Sequence, residues 1–179
     1  MSKPIIQKVS ARAQSEQTRT DRSDISPSAI FPPLSADQLA ETVREIGFKP
    51  SALYVELMQE VGNGGFGPGY GLMGLAGGAA NDMGDTAVDL YKVFAQPDPN
   101  EPSWKWPQGL LPICHWGCAI YSCIDCTNEE AMVMTWDPNE WEDGTSPTLA
   151  IWSTEMPLAE WLRAWSDGVN LWEKRSPPS

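Results

Sequence analysis

The sequence predicts an α+β fold, with N-terminal helices, a central mainly antiparallel sheet of about five to six strands, and a C-terminal helix packed on it. Three observations predict this. Apolar residues recur at helical spacing through residues 35–61, short apolar runs separated by turn residues fill 110–154, and a single helical stripe closes the chain from Leu158.

The elements follow in order. Residues 1–34 are rich in Ser, Thr, Gln and Arg, close with Ile30-Phe31-Pro32-Pro33 and show no sustained period. They are expected to form a basic, mostly disordered arm, leaving 35–174 as the folded domain and 175–179 as a tail. Ser35 and Gln38 make a capping box, Leu39, Val43 and Ile46 share one face, and Gly47 stops this first helix. A second helix runs from about Pro50 to Val61, with Leu53, Tyr54, Leu57, Met58 and Val61 at helical spacing. A third, capped by Asp85, extends to about Phe94, and a Pro/Asp/Asn-rich loop holding Trp104 and Trp106 follows.

Leu110–Cys114, Cys118–Asp125, Ala131–Trp136 and Thr148–Thr154 then read as strands, the last two joined by a long acidic loop. On the closing helix, Leu158, Trp161, Leu162, Trp165, Val169 and Trp172 form one apolar stripe, whose ordinary meaning is core packing on a sheet.

Charge narrows the class of partner. The 179-residue chain carries a formal net charge of −12. Residues 1–30 hold five basic residues (Lys3, Lys8, Arg12, Arg19, Arg22) against three acidic ones (Glu16, Asp21, Asp24), so the rest carries −14. A body this acidic is a poor nucleic-acid binder and suits a basic protein partner. No apolar run is long enough to span a membrane and the N-terminus lacks a signal-peptide core, so a cytoplasmic location is expected, with the four cysteines as thiols.

The densest local signal is Gly62-Asn63-Gly64-Gly65-Phe66-Gly67-Pro68-Gly69-Tyr70-Gly71-Leu72. Its glycines (Gly62, Gly64, Gly65, Gly67, Gly69, Gly71) and Pro68 specify an unusual backbone path, and the interleaved aromatics argue against a slack linker. Residues 62–67 satisfy G-x-G-x-x-G, but a helix enters the loop and a short apolar run leaves it, the reverse of the dinucleotide-binding order. No Gly-Lys-Ser/Thr follows, which excludes a phosphate-binding P-loop. A helix cap followed by a tight connection is the favoured reading.

Cys114, His115, Cys118, Cys123 and Cys126 invite a zinc site. On one straight strand over 118–126, however, Cys123 would face away from Cys118 and Cys126, and the ends would stand roughly 26 Å apart. Small buried thiols are the expectation, and no metal or cofactor is assigned. His115, the only histidine, is expected to be a strand-end histidine rather than a base. The acidic loop from Asp137 fails the EF-hand pattern, with Trp141 and Glu142 at its fifth and sixth positions. Paired carboxylates such as Glu142-Asp143 read as solvated turn charge, and no catalytic signature emerges.

The stretch Glu60–Leu72, then Leu111-Pro112-Ile113-Cys114 with Trp116-Gly117-Cys118, Ile120–Asp125, and Leu158-Ala159-Glu160-Trp161-Leu162 together resemble the SUKH superfamily, the Smi/Knr-like domain. Its members include bacterial immunity proteins and fungal cell-wall assembly regulators. The resemblance spans about Ser35 to Trp172; this chain departs from it with His115 where the family often has an acidic residue and with Lys49-Pro50 where it has Leu-Pro.

The resemblance implies a non-enzymatic binding module without shared catalytic residues. The leading expectation is an immunity-type protein that neutralises a toxin domain, one of basic charge suiting this surface. A housekeeping regulatory adaptor of the same fold, and a zinc- or thiol-dependent protein using Cys114–Cys126, are the alternatives. Phe66, Tyr70, Trp104, Trp106, Trp141, Glu142 and Asp143 are the candidate partner contacts, although core plugging beside the loop is the favoured reading of Phe66 and Tyr70.

Overall fold

The computed structural model describes residues 3–17, 29–99, 102, 104–142 and 145–175. Helices α1 (Lys3–Gln17), α2 (Ala36–Ile46), α3 (Ala52–Glu60) and α4 (Ala87–Phe94) precede strands β1 (Leu110–Gly117), β2 (Ile120–Asp125), β3 (Met132–Trp136) and β4 (Ile151–Pro157). Helix α5 (Leu158–Ser166) closes the fold. The strands pair antiparallel in chain order, β1-β2-β3-β4. Helix α4 packs on β1, and α5 lies against β3 and β4 with α1 laid over it. This is the α+β architecture expected.

The sheet has four strands among the described residues, fewer than the five to six expected. The apolar run after the glycine loop contributes a single bridge, Leu72 to Cys114, instead of a strand. The reason is where its next backbone groups go: the Met73 N–H still donates to the Ile113 carbonyl of β1, but the Gly74 N–H donates to Ala79 and its carbonyl accepts from Ala87.

Helix boundaries follow capping chemistry. At α2 the Ser35 side chain accepts from the Gln38 N–H, Gln38 accepts from the Ser35 N–H, and Gly47 at φ 79° ends the helix. The α4 cap is Thr86, not Asp85. A reciprocal box needs an acceptor side chain three residues on; Asp89 supplies it for Thr86, whereas Asp85 would look to Val88. Helix α5 stops at Ser166, earlier than its stripe suggests. Gly168 at φ 89° turns the chain away, so Leu171 is buried while Val169 and Trp172 are exposed.

The N-terminal segment departs most from expectation. Residues 3–17 form a helix whose Ile5, Ile6, Val9 and Ala13 are buried, packed on α5 and α3. The Arg12 guanidinium lies 5.0 Å from the Trp165 ring and donates to the Trp165 carbonyl, while Lys8 pairs with Asp167. A few apolar residues among many polar ones give little intrinsic signal, and a helix of this composition is stabilised by tertiary packing. Residues 18–28, also assigned to the arm, lie outside the described residues. From Ala29 the chain is again held: the Phe31 N–H donates to the Gly64 carbonyl and the Leu34 N–H to the Met58 carbonyl.

Candidate functional site

The glycine loop folds into the molecule. Gly64 and Gly65 both sit at φ 87°, where a side chain is strained, and both lie against other backbone. A Cβ on Gly64 would stand 2.6 Å from the Gly74 nitrogen and the Leu72 oxygen; one on Gly65 would stand 2.3 Å from the Ala29 oxygen. Asn63 is the loop's clasp: its side-chain oxygen accepts from the Leu75 N–H at 2.8 Å and its amide donates to the Ala76 carbonyl at 3.1 Å. Its own N–H and carbonyl are bonded to Pro32 and Ala79. The loop is therefore a packed backbone knot, built from hydrogen bonds that only small residues let approach.

Two aromatics leave this knot in opposite senses. Phe66, 1 % exposed, fills the core, and Tyr70, 41 % exposed, reaches the surface. Tyr70 stacks on His115 with ring centroids 5.3 Å apart, and His115 stacks on Tyr121 at 4.8 Å. The pairing register explains the row, because His115 is opposite Tyr121 and Tyr121 is opposite Trp136. Facing residues of paired strands share one side of the sheet.

His115 is 4 % exposed, and the Asp82 carboxylate stands 3.1 Å from its Nδ1, close enough for an ion pair but out of hydrogen-bond alignment. Burial lowers the histidine pKa and Asp82 opposes that shift, so the ring is held toward its neutral form.

The row continues into a groove. Phe94, at the end of α4, touches Tyr121 edge-on at 5.6 Å and leans on Trp106 at 4.5 Å. Trp106 meets Trp136 edge-on at 5.5 Å, and Trp104 lies nearly parallel to Trp136, 16° apart in plane and 6.5 Å between centroids. These four rings, with Val93, Gln96, Pro97, Asp98 and Pro99, line an open cavity of about 290 Å³. Tyr70, Trp104 and Trp106 thus belong to one aromatic band running from the glycine loop to this groove. Phe94, Tyr121 and Trp136 were not anticipated. The signal for Tyr121 and Trp136 was their place at matching positions of adjacent strands, which needs the register to become visible.

This band and the loop that anchors it lie inside residues 33–159, which match the SMI1 / KNR4 family (SUKH-1). The chain belongs to that family. No curated protein and no solved structure matches it. SUKH domains of this family are generally non-enzymatic binding modules. Helix α1 and most of α5 fall outside the matched range.

In this SUKH domain the remaining candidates lie apart from the band. The Trp141 indole N–H donates to the Thr145 carbonyl at 3.0 Å, closing its own loop, and Glu142 is exposed beside it. Asp143 lies outside the described residues.

The cysteines do not converge on a metal. Strand β2 runs through Ile120–Asp125, and Cys118 is exposed in the hairpin turn before it, at φ 52°. Cys114 and Cys123 are fully buried, and the Cys114 thiol donates to the Pro68 carbonyl. Burial pushes both thiols up and takes Cys126 to about 12, so all three favour the protonated form, which is a poor ligand and nucleophile. Among the described residues no group of three or more His, Cys, Asp or Glu side chains is placed to hold a metal ion. No helix among them is long and apolar enough to cross a membrane.

Proposed function

We propose that this SUKH domain is a non-enzymatic, cytoplasmic binding protein of the immunity type, which neutralises a toxin domain by covering it. The observation that carries the reading is the aromatic band, which reaches the surface at Tyr70 and at the tryptophan groove on a chain of net charge −12. Aromatic side chains held by a rigid scaffold are the usual anchors of a protein interface, and an acidic surface selects a basic partner and speeds its approach. Phe66 supports the loop from inside and Trp106, 8 % exposed, forms the floor of the groove, while Tyr70 and Trp104 supply the contact surface, with Trp141 and Glu142 on a separate loop.

An affinity capture from native lysate at low and high salt tests this. A single basic protein, released as salt rises and losing its toxicity when mixed with this chain, is the expected result. Capture of ordinary cellular proteins without toxicity would replace the immunity role with that of a regulatory adaptor.

A further inference from the structure

We propose that the tryptophan groove receives an arginine side chain of the partner. This deepens the protein-binding reading above and rests on it. Three features of the groove point to a guanidinium. First, it offers indole faces: Trp104 and Trp136 are half-buried and nearly parallel, and Trp106 forms a floor fixed by its N–H bond to the Leu110 carbonyl at 2.7 Å. The π-face of an indole attracts a cation more strongly than any other side-chain ring.

Second, among the described residues the lining holds a carboxylate, Asp98, and no basic residue, within a chain of net charge −12. A cation entering the groove is drawn by both, and an anion is opposed by both. Third, the fold already uses this contact internally, with the Arg12 guanidinium 5.0 Å from the Trp165 ring. Arginine is favoured over lysine because its planar, weakly hydrated head stacks on an aromatic face and loses less on leaving water.

The test is a titration of the full chain, labelled with ¹⁵N at its indole nitrogens, with the peptide Gly-Gly-Arg-Gly-Gly. Two counterparts replace its arginine with citrulline, which keeps the shape without the charge, or with proline. The arginine peptide is expected to shift the Trp104 and Trp136 indole signals saturably, leave those of Trp106 and Trp165 in place, and bind about tenfold more tightly than the citrulline peptide. The Trp104→Ala variant, its Trp165 indole signal unchanged, is expected to lose the response at Trp136.

Equal binding of citrulline, preference for proline, or shifts spread evenly over all the tryptophans would overturn the arginine assignment. The captured partner separates this from failure of the broader reading. A partner held at full affinity by Trp104→Ala removes the groove from the interface altogether. A partner weakened by Trp104→Ala but indifferent to loss of its own arginines removes only the guanidinium.

Discussion

The glycine loop and the tryptophan groove stand at opposite ends of one aromatic band, and different chemistry builds them. The loop is made of backbone: its residues lie so close together that a single added methyl carbon meets main-chain atoms within 2.6 Å at Gly64. The groove is made of side chains: four rings meet at tilted, parallel and edge-on angles around an open cavity of about 290 Å³. Backbone packing of the first kind tolerates no change without loss of the fold, whereas side chains around an opening can be exchanged with little cost to stability. Hence a scaffold that keeps its loop can vary its groove.

Gly64→Ala strains this contrast hardest. A β-carbon at φ 87° facing backbone on two sides is expected to cost at least about 3 kcal/mol or to prevent folding. Urea denaturation reads it, and a variant within about 1 kcal/mol of the parent would refute the packed-knot description. Asn63→Ala comes next. It leaves the buried Leu75 N–H and Ala76 carbonyl without their partner and is expected to cost about 2–4 kcal/mol in the same assay, while enlarging no pocket at the groove.

The band between the two regions is probed by pH. Burial holds the folded-state pKa of His115 below the ordinary 6.5, so the unfolded chain takes up its proton first as pH falls. His115 therefore costs no stability above 6.5 and subtracts from it progressively below, down to its folded pKa, with Asp82 softening the loss. Replacing it by glutamine is expected to flatten the stability curve over that window; parallel curves for the two proteins would show that the ring is not desolvated in this way.

Trp104→Ala is the mildest for the fold. A half-buried ring at the mouth of the groove is expected to change stability by less than about 1 kcal/mol, yet to weaken partner binding by about 2 kcal/mol, near thirtyfold in Kd. A variant that unfolds instead would make the groove part of the core and erase the contrast.

Much of this was legible in residue order. The Ser35–Gln38 box, the stop at Gly47 and the antiparallel run from Leu110 are local signals, each complete within a few residues. The departures from that reading have different causes. Helix α1 carries too few apolar residues to announce itself and owes its docking to Trp165, over 150 positions later in the chain. The stripe on α5 continues in sequence past Ser166, but Gly168 diverts the chain. The choice of Thr86 over Asp85 is a local one, set by Asp89 three positions beyond Thr86.

From residue order alone came the α+β class, the specified path of the glycine loop and the acidic charge of the chain. Periodicity, turn chemistry and charge act over short distances along the chain, so they survive in a linear reading. Only the tertiary structure decided that Tyr70 points outward while Phe66 points in, that His115 lies between two tyrosines, and that Phe94, Trp104, Trp106 and Trp136 enclose one groove. Those rings come from a helix end, a loop and a strand, and a cavity among them exists only once strand register and helix packing have brought them together.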